Sequence, residues 1–162
     1  MNKITIFKST DADTRSAKKV PTKDQLLDST LSHIRDVNNV GFFMSNKLKE
    51  NYINHDHTKI EYIDEFYNDF VQQLQANDKS NFKEMAWFKN RHLTERHHLN
   101  DSVPEDVNLL DVLEMIIDCT VAGLARSGNI YPITIPEDVI KRAIENTKQL
   151  IIDNCEVIKK EE

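Results

Sequence analysis

All six histidines of the chain, His33, His55, His57, His92, His97 and His98, fall between residues 33 and 98. Imidazole is the commonest neutral nitrogen ligand for transition metals, so this gathering is what a metal site requires. Surface histidines also gather by chance, and the neighbouring residues must decide. His55 and Asp56 are adjacent in HDHTK, residues 55–59. Adjacent side chains on a helix diverge by about 100°, so both reach one ion only near a helix end or bend. This pair lies at the junction of two predicted helices. Lys59, four residues after His55, shares its face and brings an ammonium able to hold a phosphate oxygen beside a metal. The bland alternative makes Asp56 an N-cap and Lys59 a solvated side chain.

Two further segments carry chemistry. RHLTERHH, residues 91–98, places His92 five residues before His97 and six before His98. Neither is the four-residue spacing that puts two ligands on one helix face. A break near Thr94, or two short helices, would let His92 converge with one of the pair while the other faces out. Further on, Asp111, Glu114 and Asp118 share one face of a predicted helix, beside an apolar stripe of Leu110, Leu113, Ile117, Val121 and Leu124. An acidic group bordering such a stripe is costly to bury unless it is paired or ligates a metal. Asp118, among Ile116, Ile117 and Cys119, reads as the deepest of the three and as a ligand. Asp111 reads as part of the wet face, and Glu114 stands open between the two.

The elements that must position these residues are helical. Three glycines and four prolines in 162 residues are too few for an all-β fold with its frequent turns. Pro21-Thr22 resembles a helix start. Leu27, Leu31, Ile34, Val37 and Val40 then carry a helical period to about Asn54, with Gly41 bending or dividing the helix. A second helix is predicted over 58–76, a loop over 77–80, and a third helical stretch over 82–99. A fourth helix covers 109–127 and is ended by Gly128-Asn129, and a last one runs from Pro136 to about Lys160. Ile4, Ile6 and Phe7 suit a short strand or a packed arm. The expected organisation is a polar arm over residues 1–22 and one all-α domain over 23–162, an irregular bundle of five or six helices.

Composition narrows the partners. Hydrophobic residues make up 39% and charged residues 30%, with a net charge of −6. That excess repels nucleic-acid backbones and argues against general nucleic-acid binding. It leaves room for a small phosphorylated substrate, because a bound metal inverts the local field. No apolar run approaches the ~20 residues that cross a bilayer, and the start lacks the apolar core of a signal peptide. Cys119 and Cys155 lie far apart in no metal-binding spacing and read as inert thiols of a reduced compartment. The expectation is a cytoplasmic protein, in a host's cytoplasm if phage-encoded, with no membrane partner and with oligomers open.

In order and type these residues resemble the HD superfamily of metal-dependent phosphohydrolases. LSHIRD (31–36), HDHTK (55–59), WFKNRHLTERHH (87–98) and EMIIDC (114–119) are similar, in this order, to a family of small phage and bacterial HD-like proteins. His92 stands alone where a histidine pair is usual, and Cys119 stands where an aromatic is common. The likeness spans residues 26–128. It implies an HD-like bundle in which His33, His55, Asp56 and Asp118 hold a first metal. It also implies that His92 with His97 or His98 holds a second.

Such a site has a definite chemistry. A metal among imidazoles and carboxylates lowers the pKa of its water to near neutrality and supplies hydroxide. Mixed nitrogen and oxygen ligands suit manganese, iron or zinc, and magnesium less well, as one or two divalent ions. Asp56 and Lys59 are expected to take part in catalysis. Lys59, with Arg91, Arg96 or Arg126, would neutralise charge developing on phosphorus. A nucleotide phosphomonoester or phosphodiester is the expected substrate. Two rivals remain. One is a non-catalytic metal-binding helical protein that docks on a protein partner, such as a host protein. The other is a metal-free bundle with ordinary histidines.

Overall fold

The computed structural model describes residues 3–14, 16–76, 79–130 and 132–159. The protein is mostly helical, as its glycine-poor, periodic sequence predicts, with one small parallel sheet of two strands. The elements are β1 (Ile4–Phe7), α1 (Lys23–Ile53), α2 (His57–Glu61), α3 (Ile63–Gln75), α4 (Ala86–Asn90), α5 (Leu109–Ser127), α6 (Glu137–Asn154) and β2 (Cys155–Ile158). A 3₁₀ helix of two turns occupies Lys79–Glu84, and a single 3₁₀ turn occupies His92–Thr94. None of these helices is long and apolar enough to cross a membrane. The chain clusters into two compact units. One comprises residues up to Leu48 with those from Lys148 onward, and the other is Lys49–Thr147.

In the first unit β1 and β2 pair in parallel, from Ile4 opposite Cys155 to Phe7 opposite Ile158. The helical period predicted to about Lys160 therefore stops at Asn154, and Cys155 opens a strand instead of closing the α6 stripe. The isolated β-branched pair Val157-Ile158 suits that strand. Lys160 itself and the loop residues 77 and 78 lie outside the described residues. α1 starts with a reciprocal cap. The Gln25 N–H donates to Thr22 Oγ1 at 3.2 Å, and the Thr22 N–H donates to Gln25 Oε1 at 3.0 Å. α1 then runs through Gly41 as one helix, which the glycine does not divide. A lone glycine costs a helix about 1 kcal/mol relative to alanine, too little to end one otherwise well formed. β1 is tied to α1 through the Phe7 N–H, which donates to Asp36 Oδ2 at 3.0 Å, and through Arg35, which covers the Phe7 ring at 4.4 Å.

The second unit has two apolar clusters. Leu99, Val107, Val112, Met115, Val139 and Ala143 form one. Met85, Trp87 and Phe88 form the other, with Tyr62, Phe66, Phe82 and Leu93 against them. α5 is capped at both ends. Asn108 accepts from the Leu110 N–H and makes a capping box with Asp111, and Gly128 closes the helix at φ 70°. The expected stripe of Leu113, Ile117, Val121 and Leu124 does not face this core, since each is 39% exposed or more. Val112, Met115 and Cys119 face it instead. α5 carries apolar residues almost all round, so periodicity alone did not identify the buried face. α6 joins through the Leu109 N–H to Thr147 Oγ1 (2.9 Å) and through Asn146 Nδ2 to Val107 O (2.9 Å).

The helical stretch expected over 82–99 is broken, in the region near Thr94 where a break would let its histidines converge. α4 ends at Asn90, one 3₁₀ turn follows, and Glu95 is extended at ψ 126°. That break frees the histidine segment from helical spacing.

Candidate metal centre

The centre lies wholly within the second unit. His55 and Asp56 come from the turn between α1 and α2, His92, His97 and His98 from the broken segment, and Glu114 and Asp118 from α5. Asp56 adopts φ 54° and ψ 23°, the one positive φ outside glycine among the described residues. Aspartate tolerates this left-handed conformation better than most residues, at a cost of order 1 kcal/mol. It stands at the start of α2 yet makes no side-chain cap bond. Its carboxylate faces the histidines instead, so the bland reading as a simple N-cap does not describe it.

The nitrogens and oxygens converge. Asp56 Oδ1 lies 3.6 Å from His92 Nε2 and 3.6 Å from His97 Nε2. His55 Nε2 lies 3.6 Å from Asp56 Oδ2 and 3.6 Å from Asp118 Oδ1. His98 Nε2 is 2.9 Å from His92 Nε2. Among the described residues, two sets have ligand atoms all within 4.8 Å of one another: His55, His97 and Asp118, and Asp56, His97 and His98. Ligands ~2.1 Å from one ion stand roughly 3.0–3.5 Å apart in tetrahedral or octahedral coordination, so this spacing is near what an ion would draw together. His98 turns into the cluster beside His92, so both members of the 97–98 pair face inward, contrary to the one-in, one-out expectation. The extended Glu95 removes the helical divergence that motivated it.

A second set of contacts aims the rings. His55 Nδ1 is 3.0 Å and His97 Nδ1 3.2 Å from Glu114 Oε1. Thr58 Oγ1 hydrogen-bonds His92 Nδ1 at 3.1 Å, and the Thr58 N–H donates to buried Glu95 at 3.0 Å. Trp87 stacks on His92 at 4.8 Å. Asp111, fully buried, receives both Arg96 Nε and Arg96 Nη2 at 2.8 Å. That ion pair pins the segment bearing His97 and His98 to the first turn of α5.

The depths of the three acids are the reverse of the expectation. Asp111 and Glu114 are buried, while the Asp118 side chain is 34% exposed. Thr58, Glu95 and the inward role of Glu114 were not legible beforehand. The one available signal was the position of Glu114 beside the apolar residues of α5.

The electrostatics follow from this packing. Burial would raise the Asp56 carboxyl, but the facing His97 and the Lys59 ammonium outweigh it and hold it far below the usual range. Burial would lower His97, but the Asp56 and Glu114 carboxylates on either side outweigh it and push it up to about 9. Burial also works to raise Glu114, and His97 and His55 overcome it and lower it. Burial, then the charge of His98, pushes His92 down to about 3, and burial, then the charge of His97, pushes His98 down to about 4. Without a metal the cluster thus carries its imidazolium charge on His97, between two carboxylates.

The remaining expected residues are placed as follows. His33 is exposed on α1 in the first unit, in neither ligand set, and lines that unit's cavity of about 550 Å³ with Phe7, Lys8, Ser29 and Asp36. His57 is exposed and bonds Asn54 O at 3.0 Å. Lys59 donates to Asp56 Oδ2 and is one-third exposed. Arg91 is paired bidentately with Glu65 and stacked on Tyr62, and Arg96 is committed to Asp111 and Asp106. Arg126 is exposed in the last turn of α5, where a cation suits the helix dipole. Cys119 and Cys155 are free, half-buried thiols.

The model of DUF5662, described as a family of unknown function, matches residues 22–157. No curated protein and no solved structure matches the chain.

Proposed function

The chain belongs to the DUF5662 family, and from that premise we propose that it is a metal-dependent phosphohydrolase acting on a small phosphorylated substrate, a nucleotide first among them. One observation carries the reading. Asp56 Oδ1 and His97 Nε2 are buried without a hydrogen-bond partner, 3.6 Å apart, with His92 Nε2 equally near Asp56. Unsatisfied buried acceptors and imidazoles are costly, and a divalent cation is the group that would satisfy them together. The resemblance to HD phosphohydrolases supports the same assignment through its His-Asp pair and late aspartate.

In this reading His55, Asp56, His97 and Asp118 hold a first ion, and His92 and His98 extend the set toward a second. The donor chemistry fits manganese, iron or zinc better than magnesium. A bound ion supplies Lewis acidity toward phosphoryl oxygens and an activated water. Lys59 already gives one ammonium hydrogen to Asp56 and, one-third exposed, keeps others for a phosphate oxygen. With Arg91 and Arg96 engaged by carboxylates, Lys59 is the cation best placed for the substrate. The acidic chain favours small cytoplasmic nucleotides over polymers.

A row of exposed apolar side chains, Ile60, Ile63, Tyr67, Phe70 and Leu74, favours a second reading. In it the metal only braces a helical protein that acts by binding a protein partner. A nucleotide screen with manganese, iron, zinc and magnesium separates the two. The first reading expects phosphate release that chelator abolishes and added metal restores. The absence of release with all four metals favours the second.

A further inference from the structure

We propose that Glu114 is the positioning residue that decides which nitrogen of both His55 and His97 faces the metal. The proposal rests on the metal reading above and deepens it. One oxygen, Glu114 Oε1, hydrogen-bonds His55 Nδ1 at 3.0 Å and stands 3.2 Å from His97 Nδ1, an ion-pair contact in which no hydrogen bond is formed. The side chain is buried, so water does not compete for it. An ionised carboxylate only accepts hydrogen bonds, so the His55 Nδ1 bonded to it carries a proton, and the same negative charge favours a proton on the His97 Nδ1 beside it. A neutral imidazole carries one proton, and the lone pair is then left on Nε2 of both rings. Those Nε2 atoms are the ones turned to Asp56 and Asp118 at 3.6 Å. A single carboxylate therefore sets the tautomer and the aim of two ligands drawn from different segments.

The placement of Glu114 is itself fixed. It lies three residues after Asp111, whose side chain closes the α5 capping box and receives Arg96. The helix turn carrying Glu114 is thus anchored at its start. Carboxylates behind metal-bound imidazoles typically change metal affinity by about 10–100-fold when removed.

Two neutral substitutions separate an acceptor role from a charge role. Glu114→Gln keeps an oxygen that can accept from both rings, whereas Glu114→Met keeps the length and offers none. Zinc affinity is measured by competition with a chromophoric chelator. Glu114→Met should bind zinc about 10–100-fold more weakly than wild type, and Glu114→Gln should recover most of that loss. Nitrogen-15 imidazole spectra of the zinc-loaded wild type should show coordination through Nε2 and a protonated Nδ1 at both His55 and His97. Equal weakening in the two variants would show that the carboxylate acts through its charge and overturn the proposal while leaving the metal site standing. Nδ1 coordination at either histidine would overturn it too, and that spectrum needs no variant to fold. A wild-type chain that takes up no zinc would remove the metal reading itself, and this proposal with it.

Discussion

Asp56 Oδ1 and His97 Nε2 face each other across 3.6 Å, both buried, and neither makes a hydrogen bond. Asp56 reaches this position through a left-handed backbone, and His97 through the break after the 3₁₀ turn. Two independent departures from regular structure bring the two atoms to one place, a pattern commoner at functional sites than elsewhere.

The first prediction concerns pH in the metal-free chain. His97, pushed up to about 9, contributes stability that is complete below its unfolded value near 6.5 and lost as pH rises through 9. His92 and His98, pushed down to about 3 and 4, are neutral in the fold, so they favour unfolding as pH falls below 6.5. Asp56 and Glu114, both lowered, lose their contribution in acid as well. Thermal melts in chelator should therefore peak near pH 6.5 and decline on both sides. Saturating metal should remove the alkaline decline, because the ion displaces the His97 proton. A flat alkaline limb in chelator would contradict the assignment of that proton.

Arg96 should behave as a structural residue. Arg96→Ala leaves the Asp111 carboxylate buried and without its guanidinium, the situation in which removing one partner costs most. The expected loss is about 3 kcal/mol, toward the lower end of such cases because Arg96 is itself partly exposed. Asp111→Ala with Arg96→Ala should cost less than the two single losses added together. Denaturant unfolding measures all three, and simple additivity would show that the pair does not act as a unit.

The pairing of Asp111 with Arg96 also shows where sequence reasoning stopped. Pro21-Thr22 and Gly128-Asn129 are local signals, and the helix start at Lys23 and the stop at Ser127 were legible from them, whereas the caps that Gln25 and Asp111 complete emerged only in the structure. The His-Asp junction and the break near Thr94 were legible too, because regular helices could not bring those residues together. The depth of three acids on one face was not. It is decided by Arg96, fifteen residues earlier in the chain, and by two imidazoles from other segments. Likewise β2 forms because β1 pairs with it, and that partner lies at the other end of the sequence.

Lys59 distinguishes the enzyme from a binding protein. Lys59→Met keeps the apolar stem and removes the ammonium beside Asp56. It should leave metal content nearly intact and raise the hydrolytic barrier by about 2–4 kcal/mol, the usual worth of one electrostatic contact in a transition state. Turnover and metal content are measured side by side on whichever nucleotide the screen identifies. Wild-type turnover in Lys59→Met would end its role in holding phosphate.

The central claim is that the buried, unpartnered atoms around Asp56 and His97 are metal ligands. Elemental analysis of the chain purified without chelator, beside Asp56→Asn and His97→Gln, tests it directly. Wild type should carry at least one equivalent of a transition metal, and both variants should lose most of it while keeping their helical circular dichroism. Equal metal content in all three, or none in the wild type even after incubation with manganese, iron or zinc, would contradict the account.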